Sequence, residues 1–376
     1  MVSDQDIDFF LIKQNLKKID LIEALNNWSG FVELRPAEAA QAKKRIFEIR
    51  PETTGDWDYD FHWRPSPLSL ESVGCYFLQD VEVFSPGFSR KDNLVIHDES
   101  YTSFDTLKAQ PDWSIAPKKN LRQIVRPTLI ADGFNLKTWG HWIVEYLPRF
   151  AIAKFMLGHL FYSLNVILSN ETPQWALDLI KKTCSLHDEN FIFYNAWDDK
   201  VILKNAIIPT YAHTEEFFFH SFFSEFYRSV TPQKQLREMK ICVSRSGSEA
   251  LSKVRYFPMR NTFEQLASNF GYRIVYPELL SIEEQIELFS KAKCIVGEHG
   301  SGMHNAVFSA PNTIIGCLGF WNPIQLNIGT RFDHKNVYVT RGCEWPSEEN
   351  PNFILNIDPV DMISMFMLIE KLSENF

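Results

Sequence analysis

The sequence lacks any apolar run long enough to span a membrane, and it is poor in cysteine. Its longest aromatic-rich stretch, residues 217–227, contains polar breaks and is shorter than the roughly 18 residues that a spanning helix needs. The six cysteines form no CxxC pair, and several, such as Cys242 and Cys294, stand in apolar runs. Single thiols of this kind are typical of buried core residues in a reducing compartment.

The start of the chain shows no basic region followed by an apolar stretch and a cleavage site, so no signal peptide is predicted. Together with the cysteine pattern, this absence predicts a cytoplasmic protein. The sequence leaves open a peripheral contact with the inner face of a membrane.

A surplus of positive charge is also missing. The chain has 38 Lys and Arg against 47 Asp and Glu, a net charge of −9, which argues against nucleic acid as a partner. With 376 residues, of which 45% are hydrophobic and 23% charged, it is an ordinary globular chain. Its length allows two or three domains and a core that needs neither disulfides nor metals.

Helix and strand patterns alternate along the first part of the chain. The first 50 residues contain apolar positions at helical spacing, and residues 228–238, which include Pro232, predict a linker. The patterns between them predict strands at 75–84, 94–98, 124–132, 164–169 and 201–208, and helices at 140–158 and near 173–183. Such alternation is typical of a parallel sheet covered by helices.

Beyond residue 238 the alternation becomes regular. Two pairs, Thr262 with Gln265 and Ser281 with Glu284, have the spacing of capping boxes that begin helices. Apolar runs predict strands at 239–244, 272–277, 294–297 and 313–319, and apolar periodicity predicts a packing helix at 359–373. This strand-loop-helix series is of Rossmann type.

These patterns predict three parts of the chain. Residues 1–230 form an N-terminal α/β domain with a helical N-terminal extension. Residues 231–345 form a C-terminal Rossmann-like domain, and residues 346–376 form a C-terminal packing helix.

The strongest candidate site is the glycine-rich loop GEHGSGMHN at 297–305, which lies between a predicted strand and a predicted helix. Gly300 and Gly302 allow close backbone approach, and the helix N-terminus offers free N–H groups to an anion such as a diphosphate. His299 and His304 add hydrogen-bond donors. The alternative is a tight turn in which glycine serves only geometry, and the spacing does not match the dinucleotide motif GxGxxG.

A local excess of cations follows the strand at 239–244. Arg245, Lys253, Arg255 and Arg260 are opposed only by Glu249, and Arg245 comes directly after the strand. Guanidinium groups suit phosphate oxygens, and ligands of open α/β sheets bind beyond the carboxyl ends of the strands. By itself the segment is equally well a solvated loop; together with the glycine-rich loop it predicts a phosphate site.

A histidine–carboxylate pair stands in the predicted helix near 140–158. His141 and Glu145 are four residues apart and share one helix face, and Pro148 predicts a kink at residue 144. A histidine beside a carboxylate can act as a general base, although most such pairs on helices are structural.

The acidic segment DWDYD at 56–60 supports a competing hypothesis. Its Asp-x-Asp spacing could hold a divalent cation, and Asp56, Asp58 and His62 would then serve a metal-dependent hydrolase that a chelator inactivates. A serine hydrolase is not predicted, because Ser301 lacks the flanking glycine that GxSxG requires at His299.

Three motifs taken together resemble glycosyltransferase family 61. They are NxxxxxHWxxExLPR at 135–149, Ser244-Arg245, and SxxEQIxLFxxAxxIVGxHGxGxxNxxF at 281–308. The resemblance covers about residues 130–320 and does not extend to the part before residue 70. The chain departs from the family in a longer arginine-bearing stretch after Arg245, where either Arg255 or Arg260 corresponds to the family cation.

The resemblance implies a GT-B fold, in which two Rossmann-like α/β domains face each other across a cleft. The N-terminal domain would lie on the acceptor side, and the C-terminal domain would bind the nucleotide-sugar. It implies an inverting, metal-independent glycosyltransferase without a cofactor, whose donor is a nucleotide-sugar, with a UDP-sugar expected. The acceptor would be a glycan or a lipid-linked glycan, as in bacterial capsule or surface polysaccharide synthesis. The alternative is a non-catalytic protein that binds a glycan or nucleotide on the same scaffold.

Without a metal, the leaving diphosphate must be stabilised by arginine, histidine and helix N-terminal amides. The residues expected to bind the donor are Ser244, Arg245, Arg255, Arg260, His299, Gly300, Ser301, Gly302 and Asn305. The catalytic base is expected to be His141, with Glu145 orienting or replacing it and Asp132 as a lesser candidate.

Overall fold

A computed structural model of the chain describes residues 9–11, 15–41, 46–49, 69–85, 88–92, 94–97, 119–214, 216–232, 236–245, 255–319, 322–344 and 353–374. The chain divides into two compact units. The first unit comprises Met1–Ala39 and Leu68–Phe223, and the second comprises Ala40–Pro67 and Ser224–Phe376.

The strands in chain order are β1 (Phe9–Leu11), β2 (Gly30–Arg35), β3 (Glu38–Ala39), β4 (Ile46–Ile49), β5 (Ser69–Leu70), β6 (Val73–Ser85), β7 (Phe88–Lys91), β8 (Leu94–His97), β9 (Asn120–Ile124), β10 (Thr128–Leu129), β11 (Asn165–Ser169), β12 (Phe191–Tyr194), β13 (Asp199–Pro209), β14 (Met239–Val243), β15 (Arg255–Tyr256), β16 (Arg273–Val275), β17 (Ala292–Glu298), β18 (Ile314–Leu318), β19 (Lys335–Val339), β20 (Cys343–Glu344) and β21 (Phe353–Leu355).

The α-helices are α1 (Leu21–Asn27), α2 (Trp139–His141), α3 (Leu147–Leu157), α4 (Gln174–Cys184), α5 (Ser221–Val230), α6 (Arg260–Asn269), α7 (Ile282–Ser290), α8 (Pro323–Arg331) and α9 (Pro359–Ser373). A π-helix, Trp142–Tyr146, joins α2 to α3. Four 3₁₀ helices are present in the described part of the chain: Gly158–Ser163, Asp188–Asn190, Pro277–Leu279 and Ser301–Phe308.

The first unit contains a mixed sheet, whereas the sequence predicts a parallel one. Its order is β1-β8-β7-β6-β13-β10-β11-β12, with β2 on β6 and β9 on β13. Strands β13, β10, β11 and β12 are parallel, but the 13-residue β6 runs antiparallel to β13 and continues through β7 and β8 as antiparallel hairpins. The predicted strand at 124–132 is divided into β9 and β10 by Pro127, which has no N–H for a sheet ladder.

The predicted helical N-terminal extension is wrong for most of its described residues. Only α1 is a full helix there, capped by Asp20, whose carboxylate accepts from the Glu23 N–H at 2.8 Å. The neighbouring apolar residues form strands instead, because pairing with β6 buries them: Phe31 of β2 lies against Tyr76 with 4.8 Å between ring centroids. Tertiary contacts here override the local helical spacing.

The second unit contains a fully parallel sheet of the predicted Rossmann type. Its order is β16-β14-β17-β18-β19-β4, and every pair is parallel. Counted from β14, this is the doubly wound order 2-1-3-4-5, extended at the edge by β4 from the N-terminal part of the chain. Helix α9 forms where the periodicity predicts it and buries Met362, Met365 and Phe366 in the core of this unit.

Helix boundaries show which local signals are reliable. The Ser281–Glu284 capping box is confirmed, since the Glu284 N–H donates to the Ser281 hydroxyl at 3.2 Å and the Ser281 N–H donates to the Glu284 carboxylate at 2.7 Å. The Thr262–Gln265 capping box is wrong, because α6 already begins at Arg260. The predicted linker overlaps the last residues of α5, 228–230.

The disturbance predicted before Pro148 takes the form of the π-helix Trp142–Tyr146. Pro148 is one of the first two residues of α3, directly after it. A π-helical turn shifts the carbonyls that the proline ring would otherwise meet, and such turns are frequent at functional sites.

Candidate functional site

The switch point of the second unit lies between β14 and β17. These strands are neighbours, with Val243 opposite Gly297, and the chain crosses over in opposite directions from them to β16 and to β18. Ligands of open α/β sheets bind in the crevice at the carboxyl ends of such strands. Arg245 follows β14 at this edge, and the loop 299–302 follows β17.

Arg245 and Gly300 are in direct contact at the switch point. A Cβ placed on Gly300 would overlap the Nη1 atom of Arg245, so only glycine permits this approach of guanidinium to backbone. Gly302 lies over the end of β14, where an added Cβ would be 3.2 Å from Cγ1 of Val243. The structure therefore brings together Arg245 and the glycine-rich loop, the two features on which the predicted phosphate site depends.

The 3₁₀ helix Ser301–Phe308 begins directly after Gly300. The Met303 N–H donates to the Gly300 carbonyl at 3.0 Å. The Ser301 and Gly302 N–H groups stand at the N-terminal end of the helix, where backbone N–H groups attract anions. His299 is buried, and its N–H donates to the Leu318 carbonyl at 2.8 Å.

Asn305 connects this helix to α7. Its side chain is fully buried and its amide donates to Gln285 of α7 at 3.0 Å. His304 is likewise buried, with Nδ1 3.0 Å from Oε1 of Gln325. The assignment of Asn305 to donor binding stays a prediction, and the contact with Gln285 gives its side chain a supporting role as well.

Arg260 is committed to a buried ion pair with Glu298, the last residue of β17. Its Nε lies 2.9 Å from Oε1 and its Nη2 3.4 Å from Oε2. A buried carboxylate without a counter-charge is costly, and this pairing neutralises the charge of Glu298. Arg260 thus contacts Glu298, directly before the glycine-rich loop, and its predicted binding to the donor stays a prediction. The sequence-based prediction did not include Glu298, although a charged residue at the end of a buried strand is itself a signal.

Two further predicted donor residues lie in different settings. Ser244 is buried and its hydroxyl donates to Glu264 of α6. Arg255 lies in β15, which pairs with β21 in a separate three-stranded sheet and not in the parallel sheet. The side chain of Arg255 lies outside the described part of the structure.

The His141–Glu145 pair is present in the first unit. Nδ1 of His141 lies 2.9 Å from Oε2 of Glu145, and the carboxylate is 3% exposed while the imidazole is 26% exposed. On the other side of the ring, Nε2 lies 3.1 Å from Nδ2 of Asn135. Since a carboxylate only accepts hydrogen bonds, Nδ1 donates to Glu145, and the neutral tautomer with this proton has its lone pair on Nε2, facing Asn135.

The π-helix and the preceding loop position this histidine. The Trp142 indole donates to the Leu136 carbonyl at 2.8 Å, and the Asn135 N–H donates to the Tyr146 hydroxyl at 3.3 Å. The Tyr146 ring occupies the space that a Cβ on Gly133 would need. Burial, assisted by the nearby Glu145 carboxylate, raises the pKa of Tyr146 well above its usual value, so the phenol stays neutral.

Arg149, part of the same motif, has a structural role. It is buried, and its guanidinium donates to the carbonyls of Pro209 at 3.0 Å, Asp132 at 2.9 Å and Ile130 at 3.3 Å. The Ile130 and Asp132 carbonyls follow the end of β10, and the Pro209 carbonyl ends β13. Arg149 therefore fixes the carboxyl ends of two parallel strands beside the His141–Glu145 pair, and the buried Asp132 lies at the same edge.

His213 is a second histidine near this pair that the sequence analysis missed. It follows the carboxyl end of β13, its Nδ1 lies 2.6 Å from the Thr214 carbonyl, and its ring stacks on Phe217 at 4.8 Å between centroids. Burial lowers the pKa of His213, and the Glu145 carboxylate opposes that shift. The imidazole is therefore neutral at pH 7. Its only signal in the sequence is its position just after a strand.

The remaining predicted features fall partly outside the described residues. Asp56, Asp58 and His62 lie there, and no group of three or more His, Cys, Asp or Glu side chains within the described ranges is arranged to hold a metal ion. No described helix is long and apolar enough to cross a bilayer. Of the six cysteines, all free, five are buried, as their apolar surroundings predict.

Comparison with protein families confirms the resemblance inferred from the motifs. Residues 139–316 match the family model described as Glycosyltransferase 61. The match runs from α2 into β18 and includes His141, Glu145, Arg245 and the glycine-rich loop. A comparison with curated proteins finds no match.

Proposed function

We propose that this chain, whose residues 139–316 match the family model described as Glycosyltransferase 61, transfers a sugar from a nucleotide-sugar to a glycan acceptor with inversion and without a metal. The observation that carries the proposal is the contact of Arg245 with Gly300 at the switch point of the second unit. A guanidinium group and the backbone N–H groups at a helix N-terminus are the kinds of group that stabilise a diphosphate leaving group.

The donor site uses charge that needs no bound ion. Arg245 supplies a guanidinium, the kind of cation that suits phosphate oxygens, and the Ser301 and Gly302 N–H groups add dipoles oriented toward an anion. Because these groups are in place before reaction, they stabilise the negative charge that develops as the sugar–oxygen bond breaks. Removal of one such donor typically costs about 3–4 kcal/mol, or a 100- to 1000-fold loss in rate.

The base is assigned to His141 of the first unit. In an inverting step the acceptor oxygen forms a bond to C1 of the sugar while the bond from C1 to the diphosphate oxygen breaks, and the hydroxyl proton moves to Nε2 of His141. The buried Glu145 carboxylate, 2.9 Å from Nδ1, stabilises the resulting imidazolium.

The donor and acceptor classes are part of this proposal. We expect a UDP-sugar as donor, a glycan or lipid-linked glycan as acceptor, and a role in capsule or surface polysaccharide synthesis in the cytoplasm. The acidic net charge of −9 supports a saccharide rather than a nucleic-acid acceptor.

Thermal-shift measurements with UDP, GDP and CMP and their sugars test the donor site. A nucleotide at 100 times its dissociation constant should stabilise the protein by about 2.7 kcal/mol, and Arg245→Ala should remove this shift. Arg237→Ala is the matched control. Arg237 lies just before β14, at the opposite edge of the same sheet, and donates to the Pro311 carbonyl.

Turnover decides between transfer and binding alone. Release of the nucleotide from its sugar in the presence of an acceptor supports the transferase, while a nucleotide shift without turnover on any acceptor supports a non-catalytic binding protein. If no nucleotide produces a shift that depends on Arg245, the donor-site assignment is wrong.

A further inference from the structure

The imidazole of His141 is held on both sides. Glu145 accepts from Nδ1 at 2.9 Å, and the side-chain amide of Asn135 lies 3.1 Å from Nε2. The lone pair of Nε2 therefore accepts from the Asn135 NH₂ group. This is the same lone pair that must take the acceptor proton if His141 is the base.

Asn135 can change its contact without moving its backbone. The backbone N–H of Asn135 donates to the Tyr146 hydroxyl at 3.3 Å, and its backbone carbonyl accepts from the Thr138 N–H at 3.1 Å. These two bonds fix the loop to the helical segment that follows it. The terminal torsion of an asparagine side chain has two broad and nearly equivalent orientations. Rotation about it exchanges the NH₂ donor for the carbonyl acceptor at the same position.

We propose that Asn135 is a positioning residue for His141: its NH₂ group covers the Nε2 lone pair in the resting protein, and its side-chain carbonyl accepts from Nε2–H once His141 has taken a proton. This inference rests on the assignment of His141 as the base. It adds a residue that receives the imidazolium on the side opposite Glu145. An incoming acceptor hydroxyl must displace the NH₂ group before the proton can move to Nε2.

Aspartate and alanine at position 135 separate this role from simple packing. Asn135→Asp keeps the shape of the side chain but only accepts hydrogen bonds, so it holds His141 as an imidazolium between two carboxylates. Asn135→Ala leaves Nε2 uncovered and unprotonated. A residue needed only for its shape would tolerate Asp better than Ala, whereas the proposed role makes Asp the more damaging change.

The protonation of His141 is read directly by NMR of full-length protein carrying ¹⁵N-labelled histidine, with the signal assigned by its loss in His141→Ala. We expect one protonated and one hydrogen-bond-accepting nitrogen in the unsubstituted protein at pH 7. In Asn135→Asp both should be protonated, and in Asn135→Ala the Nε2 signal should move to that of an uncovered lone pair. Asn27→Asp adds the same charge at the exposed end of α1 and should leave the spectrum unchanged.

Turnover gives the second measurement. The turnover of Asn135→Asp should fall by about 100-fold or more, the lower range for removing a general base. The turnover of Asn135→Ala should fall less. If both variants leave the nitrogen signals of His141 as they are in the unsubstituted protein, the proposal is wrong. If the signals change as expected but no nucleotide-sugar is ever turned over, the proposed function fails while the role of Asn135 toward His141 stands.

Discussion

The two candidate sites consist of different kinds of chemical group. In the second unit the site consists of backbone N–H groups and the fixed charge of Arg245, placed by the carboxyl ends of two parallel strands. In the first unit it consists of side chains, with His141 at the end of α2 held between Asn135 of the preceding loop and Glu145 of the π-helix. A site that binds a constant negative charge needs groups that never titrate. A site that moves a proton needs a group that does.

The largest effects that this comparison predicts are on turnover and on nucleotide binding, and a substitution in each unit should affect them differently. His141→Ala should lower turnover by about 100- to 10,000-fold, the range for a general base, and keep the nucleotide-dependent thermal shift. Arg245→Ala should lower turnover and also abolish the nucleotide-dependent thermal shift. Turnover and thermal shift measured on the same preparations test this, and near-normal turnover in His141→Ala would show that the base is another residue, with Glu145 and Asp132 as the candidates.

The buried pair Arg260–Glu298 gives the next effect, on stability. Arg260→Met removes one partner and leaves a buried carboxylate, so the free energy of unfolding should fall by about 3–5 kcal/mol. Urea unfolding measures it. The control Lys291→Met breaks the exposed pair with Glu287 and should change stability little. An equally small change in Arg260→Met would mean that water screens the pair.

Gly300→Ala tests the close contact in the second unit. The new methyl group would displace the Arg245 guanidinium, so donor affinity and turnover should fall toward the roughly 100-fold loss of a missing charge-stabilising donor. In the Arg245→Ala background the same substitution should add little, because the two changes act through one contact. Full additivity would contradict that mechanism.

The smallest predicted effect is the pH dependence of the free energy of unfolding, to which one buried histidine in each unit contributes. Burial lowers the pKa of His334 from 6.5 to about 4 in the folded protein, and it lowers that of His213 as well. Because the unfolded chain binds these protons more readily, the stabilisation that each neutral imidazole contributes is complete above pH 6.5 and falls as the pH drops below it. For His334 the fall continues to about pH 4. Each histidine contributes at most about 1.4 kcal/mol per pH unit.

Unfolding measured between pH 7 and 4.5 should show a shallower decline in His334→Leu and in His213→Leu. His159→Leu, at an exposed position, should keep the original slope. Unchanged slopes in both buried variants would show that these imidazoles are protonated in the folded protein as readily as in the unfolded chain.

Much of the second unit could be predicted from the sequence. The strand-loop-helix series, the Ser281 capping box, the glycine-rich loop and the final helix depend on residues close together in the chain, and the structure places them as expected. The roles of Arg260 and Asn305 could not be predicted, because their partners Glu298 and Gln285 are 38 and 20 residues away. A charge run in the sequence does not show which cation is already paired.

The first unit was harder to predict for the same reason. Apolar spacing near the N-terminus resembles a helix, but long-range pairing with β6 makes much of it strand. The His141–Glu145 spacing was visible because it spans one helical turn, and Pro148 indicated the disturbance before it. Asn135 and His213 carried no comparable signal, since their positions depend on a loop fold and on a strand end.

By itself, the sequence determined the local elements, the loop that can receive an anion, the histidine–carboxylate pair and the family resemblance, because each is encoded by neighbouring residues with fixed spacing. Only the tertiary structure decided which strands run antiparallel, that Arg245 rather than Arg260 contacts Gly300, and that Asn135 covers His141. Those outcomes depend on burial and on hydrogen-bond partners that come together only when distant segments pack.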